Sequence, residues 1–178
     1  MRTFLGKTGA GDVDTRQAAR TAVAATVSLT AAQVLGLPEA YWAAITTLIV
    51  MQSTLGAALA ASSERLIGTA IGAVIGAAVA SVLPPNALAF GAAVFLGGLC
   101  CALLGVTRNA FRFASITIAI VLLVAHVASA WVVALHRFLE VSMGIIVALA
   151  LTALWPEGGP GRAREASATA ARDRDDPA

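Results

Sequence analysis

Charged residues are scarce in this sequence. Asp, Glu, Lys and Arg together make up 12% of the 178 residues, whereas a soluble domain carries roughly 25%. Apolar residues make up 58%, and the core of one soluble domain cannot absorb so many. The net charge is only +2 and no basic stripe is visible, which argues against nucleic acid as a partner. The composition indicates an all-α integral membrane protein whose main partner is the lipid bilayer.

Residue patterns that carry chemistry are also few. The two cysteines, Cys100 and Cys101, are adjacent, and because neighbouring side chains in a helix point apart we expect no disulfide between them. No Cys and His spacing fits a metal site, and no glycine-rich phosphate loop or nucleophile elbow is present. The sequence therefore predicts a protein that is not an enzyme, with no catalytic residue, no cofactor and no metal ion.

Long apolar runs fill most of the chain. Each run has 17 to 21 residues, which as a helix is about 26–32 Å long and matches a hydrocarbon core of about 30 Å. They predict six transmembrane helices at about residues 21–37, 41–60, 66–83, 87–106, 113–133 and 138–155. Two of the predicted breaks are the polar segments 62–65 and 135–137. We expect a six-span membrane domain over residues 14–156, a flexible segment over 1–13 and a disordered cytoplasmic tail over 157–178.

The positions of Lys and Arg predict the orientation in the membrane. If the N-terminus is cytoplasmic, eleven of the twelve basic residues lie on the cytoplasmic side and only Arg137 lies outside. This distribution follows the positive-inside pattern. It predicts a multi-pass protein of a cell membrane with both ends in the cytoplasm.

A weak internal repeat appears when the sequence is shifted by 72 residues. Arg65 then falls on Arg137, and Gly72 falls on Gly144, with a gap of about three residues needed near the start. Each half has three predicted spans, so the halves must cross the membrane in opposite directions. The sequence thus predicts two inverted three-helix repeats, a design that is typical of transporters.

Several segments together resemble a known family. They are residues 38–44, residues 48–57, the Arg-x-x-Gly-Thr-x-x-Gly pattern of residues 65–72, residues 137–140 and residues 155–156. In order and spacing they resemble the fusaric acid resistance (FUSC) and aromatic acid exporter group. The resemblance implies a protein of the bacterial cytoplasmic membrane that is linked to efflux of aromatic carboxylic acids.

Seven residues are candidates for a substrate path: Gln52, Ser53, Thr54, Arg65, His126, Arg137 and Glu140. Gln52, Ser53 and Thr54 form a polar patch inside an apolar run, and Thr54 falls on His126 under the shift. Polar interruptions at matching positions of inverted halves point to a transport site, and an intramembrane His is a functional candidate. The fork of a guanidinium suits a carboxylate, so Arg65 and Arg137 could receive an anion at the two mouths of the path.

Structural roles compete with these functional ones. Arg65 and Arg137 could simply extend to the membrane interface. Glu140 lies three residues after Arg137, so a helical ion pair would explain both charges, although Glu140 could also serve as a proton site. Hydroxyl groups in the polar patch could bond their own helix, and His126 could bond a backbone carbonyl.

Glycines repeat along two of the predicted spans. Gly68, Gly72 and Gly76 lie four residues apart, and Gly144 falls in the second half. Such spacing brings helix backbones close together, so we expect these four residues to pack helices. Gly91, Gly98 and Gly105 repeat every seven residues, and we expect this face to contribute to a homo-oligomer.

Three functions remain open at the level of the sequence. The first is an exporter, or a transporter subunit, for small organic anions such as aromatic carboxylic acids. The second is a membrane scaffold or assembly partner that transports nothing, and the third is a passive anion channel. Substrate flux in vesicles would separate a transporter from a scaffold, and current would identify a channel.

Overall fold

The computed structural model describes residues 15–51, 54–123 and 129–155. Every regular element in this part of the chain is an α-helix, in the order α1 Thr15–Val34, α2 Tyr41–Val50, α3 Leu55–Val82, α4 Ala87–Leu103, α5 Arg108–Leu123 and α6 Ala130–Leu154. The all-α prediction is therefore confirmed for the described residues. The terminal segments predicted to be flexible or disordered lie outside them.

Two predicted helix breaks are wrong. Residues 62–65 lie inside α3 and residues 135–137 lie inside α6. Their charged side chains resembled loop signals, but Arg65 and Arg137 are each 3% exposed and pack against other helices. The chain breaks earlier, because α2 ends at Val50 and α3 begins at Leu55.

Local capping explains where α3 starts. Thr54 has an extended backbone, and its hydroxyl accepts a hydrogen bond from the Ala57 N–H at 3.3 Å. A Thr at this position satisfies one of the N–H groups that the first turn of a helix leaves unpaired. Thr54, the last residue of the polar patch that was predicted inside a span, is therefore the residue that caps the start of α3.

Glycine ends the first helix of each half. Gly36 has a φ of 69° and Gly105 a φ of 64°. At both sites the following residue bonds back across the last turn, from Leu37 N–H to the Ala32 carbonyl at 3.0 Å and from Val106 N–H to the Cys101 carbonyl at 3.1 Å. This is the capping arrangement in which the left-handed residue is normally glycine.

The glycines of α3 pack this helix in parallel against α5. Successive glycines meet successive turns of α5: Gly68 lies against Ala110, Gly72 against Ala114 and Thr117, and Gly76 against Ile118 and Val121. Residue numbers rise together along both helices, so they run in the same direction. The absence of side chains at these three positions lets the backbones of α3 and α5 approach closely.

The second half contains the same kind of contact. Gly144 of α6 lies against Ala43 and Thr46 of α2, and further along Thr152 donates to the Met51 sulfur at 3.8 Å. Residue numbers again rise together, so α2 and α6 run parallel. Gly144 thus lies where α6 and α2 approach closely, and an added Cβ there would meet the Ala43 carbonyl oxygen.

The other helix pairs run in opposite directions. Leu66 of α3 packs near Ile145 of α6, whereas Ala73, further along α3, packs near Ala134. Ala93 of α4 packs with Ile118 of α5, and Gly98 lies against Phe111. Helices α1 and α2 form a hairpin around Gly36. Consecutive helices therefore alternate in direction along the chain.

The exterior of the bundle is rich in large apolar side chains, and its interior contains several polar and charged ones. Large apolar side chains face outward, among them Leu88 at 85%, Leu103 at 80% and Phe95 at 71% exposed. The buried positions hold alanines together with threonines, three arginines and a glutamate. A soluble protein distributes these residue types the other way round, so this surface suits contact with lipid.

Two of the described helices, α3 and α6, are long and apolar enough to cross a membrane by themselves. Their 28 and 25 residues correspond to about 42 and 38 Å of helix. Helices α2 and α4 are apolar but shorter. These lengths differ from the near-equal spans that the sequence predicts.

Candidate functional site

The residue Arg137 is the centre of a buried polar cluster. Its guanidinium forms an ion pair with Glu39, which precedes α2, and lies 3.3 Å from the Glu140 carboxylate on its own helix. It also lies over the ring of Trp42, 4.6 Å from the ring centroid. The helical ion pair predicted between Arg137 and Glu140 is therefore present. We call Glu39, Tyr41, Trp42, Arg137 and Glu140 the Arg137 cluster.

Within this cluster the side chain of Glu39 contacts three donor groups. Its Oε2 atom accepts hydrogen bonds from the Tyr41 hydroxyl at 2.9 Å and from the Trp42 indole N–H at 3.1 Å, besides the ion pair with Arg137. Its backbone N–H donates to Glu140 Oε1 at 3.0 Å. Glu39 thus connects the start of α2 to the first turns of α6.

The residue Arg65 has a very different environment, although it is buried to the same degree. Its Nη2 lies 3.5 Å from the Thr46 hydroxyl, and its guanidinium lies over the Phe113 ring at 4.6 Å from the centroid. Its Nε is buried without a hydrogen-bond partner. Across residues 15–51, 54–123 and 129–155, no carboxylate lies within ion-pair distance of Arg65.

The residue three positions after each arginine accounts for this difference. Glu140 lies three residues after Arg137, whereas Gly68 lies three residues after Arg65. A side chain cannot replace Gly68 without movement, because its Cβ would lie 2.8 Å from the Phe113 Cβ and closer still to the Ala110 carbonyl oxygen. Close packing of α3 on α5 therefore leaves no room for an acid equivalent to Glu140.

Both guanidiniums reach the same face of α2. Arg137 stacks on Trp42, and Arg65 contacts Thr46, which is one helical turn further along. One turn of helix advances about 5.4 Å. Tertiary packing therefore brings both charges to α2, and the placement of the two arginines at the mouths of a path stays a prediction.

The remaining path candidates are tested only in part. Gln52, Ser53 and His126 lie outside the described residues, so their convergence stays a prediction. Thr54 is exposed and caps α3.

The sequence interpretation missed Glu39, Thr46 and Phe113 as neighbours of the arginines. Aromatic spacing could have revealed part of this arrangement: Trp42 and Phe113 are 71 residues apart, and each lies under the arginine of the opposite half. The 72-residue shift instead aligned Phe113 with Tyr41.

The heptad of glycines on α4 has mixed roles. Gly98 already lies against the Phe111 ring within the chain, and Gly105 ends the helix with a positive φ. A Cβ on Gly91 or on Gly105 would meet nothing within 4 Å, but at Gly105 the positive φ disfavours any side chain. The oligomer predicted from this pattern stays a prediction.

This site combines two buried arginines with few acidic neighbours in the part of the chain that the structure describes. No group of three or more His, Cys, Asp or Glu side chains there could hold a metal ion. The buried arginines instead offer positive charge inside an apolar bundle. Such an arrangement can attract and hold an anion.

Comparison with known proteins places this arrangement in a family. No curated protein and no solved structure matches the chain. The family model described as "fusaric acid resistance protein-like" matches residues 24–151, a range that contains α2 to α5 entirely and most of α1 and α6. This is a family of membrane-transporter type, and its match covers both arginines and the Gly68–Gly72 pattern. The chain therefore belongs to the fusaric acid resistance protein-like family.

Proposed function

We propose that this protein exports small organic anions, in particular aromatic carboxylic acids, across the bacterial cytoplasmic membrane, alone as a homo-oligomer or as a transporter subunit. The observation that carries the proposal is Arg65, a buried guanidinium with no carboxylate partner among the described residues. In this proposal Arg65 binds the carboxylate of the substrate.

The energetic argument compares the two arginines. Taking a charge out of water costs several kcal/mol, and a buried charge is normally paired. Glu39 and Glu140 offset that cost for Arg137. Arg65 has only a hydroxyl at the limit of hydrogen bonding and an aromatic ring, and a cation–π contact contributes about 2 kcal/mol when desolvated. A substrate carboxylate would supply the missing negative charge in a geometry that matches the guanidinium fork.

The aromatic part of such a substrate also suits the bundle. Phe113 already stacks on Arg65, and Leu66, the residue after Arg65, packs against a cluster of buried valine, isoleucine and alanine side chains. The apolar ring of such a substrate can pack against these side chains, whereas the carboxylate of the substrate needs the donors of Arg65 and Thr46.

We further propose that the six helices form two inverted three-helix repeats in the membrane, with both chain ends in the cytoplasm. The alternating helix directions support this arrangement, since each helix of α1–α3 then runs opposite to its counterpart in α4–α6. The exchanged contacts support it too, because α3 packs on α5 as α6 packs on α2. Helix α2, about 15 Å long, would need the segment after Val50 to complete its crossing.

A scaffold without transport activity is the main alternative. The Arg137 cluster favours it, because a fully paired arginine that ties α6 to α2 has a sufficient structural role. The decision therefore depends on Arg65, whose charge lacks such compensation.

The test uses the purified chain in lipid vesicles, with radiolabelled benzoate as the probe anion. Replacing Arg65→Gln removes the charge but keeps a polar side chain of moderate length, and Arg65→Lys keeps the charge but removes the planar fork. Loss of a charged hydrogen bond weakens binding by about 1.5–3 kcal/mol, which is roughly tenfold or more in the half-saturating benzoate concentration. Arg112→Gln, an exposed arginine on α5, is the matched control.

The expected order of benzoate flux is wild type and Arg112→Gln highest, Arg65→Lys lower and Arg65→Gln lowest, at equal protein content in the vesicles. Wild-type protein that carries no benzoate, no related aromatic acid and no current would support the scaffold. Current that needs no gradient-coupled partner would support the channel. Equal flux in all four proteins would remove Arg65 from the proposal.

A further inference from the structure

Two carboxylates share one guanidinium in the Arg137 cluster. We infer that Glu140 is a proton-binding site, and that protonation of Glu140 strengthens anion binding at Arg65. The second part of this inference rests on the proposed function, because it needs an anion at Arg65. The first part stands on the geometry of the cluster alone.

The two carboxylates divide the available donors unequally. Glu39 receives the Tyr41 hydroxyl, the Trp42 indole N–H and the ion pair with Arg137, and its side chain is 33% exposed. Hydrogen bonds from several donors favour the charged form of a carboxylate. Glu39 is therefore the member of the pair that is equipped to stay ionised.

Glu140 is the carboxylate of the pair with fewer hydrogen-bond donors. It is 0% exposed, and its Oε1 accepts one hydrogen bond, from the Glu39 backbone N–H. Its Oε2 lies 3.3 Å from Arg137 Nη1, yet neither atom makes a hydrogen bond. A buried carboxylate oxygen without a donor is costly when charged, whereas a protonated carboxyl group can itself donate.

The charge balance of the cluster favours the same assignment. With both carboxylates ionised, Arg137 offsets only one negative charge, and the cluster carries a net charge of −1. One proton makes the cluster neutral. The proton belongs on the carboxylate that is fully buried and has fewer donors, which is Glu140, because burial disfavours its charged form.

The other charged side chains that the structure describes on the helices packed against α6 do not offer a second buried site for the proton. On α1 the basic residue Arg20 is buried; on α3 Arg65 is buried and Glu64 bonds Asn109; on α5 Arg108 and Arg112 are exposed. Among the described residues of these helices, Glu140 is the buried acid. Tyr41 and Glu39 at the start of α2 already bond each other.

The position of the cluster links the proton to the anion. Arg137 stacks on Trp42 and Arg65 contacts Thr46, one turn apart on α2. A unit charge at about 6–10 Å still acts appreciably through the protein interior. A cluster with a charge of −1 therefore repels a carboxylate at Arg65, and a neutral cluster does not. We expect benzoate affinity to rise about tenfold when Glu140 takes up its proton.

Infrared spectroscopy of the full chain in detergent tests the proton site without any substrate. Wild-type protein should show the carbonyl band of a protonated carboxyl group, and this band should disappear as the pH is raised. Glu140→Gln should lack the band. Glu39→Gln should lose it at a lower pH than wild type, because Glu140 alone then balances Arg137. Glu64→Gln, which removes a carboxylate from outside the cluster, is the control and should match wild type.

Benzoate binding at several pH values tests the link. Wild-type affinity should rise as the pH falls, Glu140→Gln should bind tightly at every pH, and Glu64→Gln should behave as wild type. Absence of the carboxyl band in wild type, or its persistence in Glu140→Gln, would overturn the proton site, whether or not benzoate binds. If the band behaves as expected and benzoate still fails to bind, the proposed function fails and the proton site stands. Unchanged pH dependence of binding in Glu140→Gln would overturn the link.

Discussion

At the scale of single residues, the two buried arginines show how one neighbour changes the role of a charge. Arg137 and Arg65 occupy equivalent positions in the two halves and each stacks on an aromatic ring. An acid one turn along α6 compensates Arg137, whereas a glycine at the corresponding place in α3 packs tightly against α5. This difference is why we propose a mainly stabilising role for Arg137 and anion binding for Arg65.

The stabilising role of Arg137 leads to a prediction for Arg137→Leu. This change leaves Glu39 and Glu140 facing each other without a cation, and breaking a buried pair costs about 3–5 kcal/mol. We expect a clear loss of thermal stability in mild detergent and a lower yield from membranes. Arg112→Leu on the exposed side of α5 should change stability by no more than about 0.5 kcal/mol. Equal melting of the two variants would show that the cluster contributes no net stability.

At the scale of helices, the close contact of α3 with α5 depends on the absence of side chains. A Cβ on Gly72 would lie 2.8 Å from the Thr117 Cβ and nearer still to the Ala114 carbonyl oxygen. Neither atom is the end of a flexible side chain, so the helices would have to move apart. The α3–α5 pair is therefore held by geometry that larger residues cannot reproduce.

A second prediction compares two glycines in the same bundle. Gly72→Ala should destabilise the protein by about 1–3 kcal/mol through overpacking. Gly91→Ala on α4 meets nothing within 4 Å and should be neutral, or stabilising by about 0.5–1 kcal/mol because alanine favours the helix. Melting temperature and elution volume in mild detergent measure both effects. If Gly72→Ala matches Gly91→Ala, α3 and α5 are not packed as described.

Helix existence was predictable from the sequence, but several helix ends were not. Apolar runs indicate α1 to α6 in the right order, since lipid requires every backbone group to bond within its own helix. The charged segment 62–65 was predicted to be a loop because a charged side chain is normally exposed to solvent. Arg65 is instead buried within α3. The actual start of α3 depends on Thr54 as its cap, a local signal that lay within an apolar run.

At the scale of the whole molecule, the bundle exposes large apolar side chains, and its interior combines small apolar residues with buried threonines, arginines and a glutamate. Asn86 precedes the start of α4 and Asn109 lies in the first turn of α5, so the two residues lie at opposite ends of α4. In the proposed topology the first of these faces the outside of the cell and the second faces the cytoplasm.

Cysteine labelling tests that topology. In a background in which Cys100 and Cys101 are replaced, Asn86→Cys should react with a membrane-impermeant thiol reagent added to intact cells. Asn109→Cys should react only after the cells are opened. Both positions are exposed, so access to the reagent depends on the side of the membrane. Labelling of Asn109→Cys in intact cells would contradict the six-span arrangement.

Composition and pattern alone were sufficient for the membrane class, the helical fold, the packing glycines and the family. Each of these follows from local chemistry: apolar length for a helix in lipid, small side chains for close backbones, and a spaced motif for the family. The surroundings of the two arginines were decided only by the tertiary structure. Arg65 and Arg137 are 72 residues apart, and only the packing of α3 on α5 and of α6 on α2 decides that one is paired and the other is not. Compensation of a buried charge depends on distances between helices, which the order of residues along the chain does not contain.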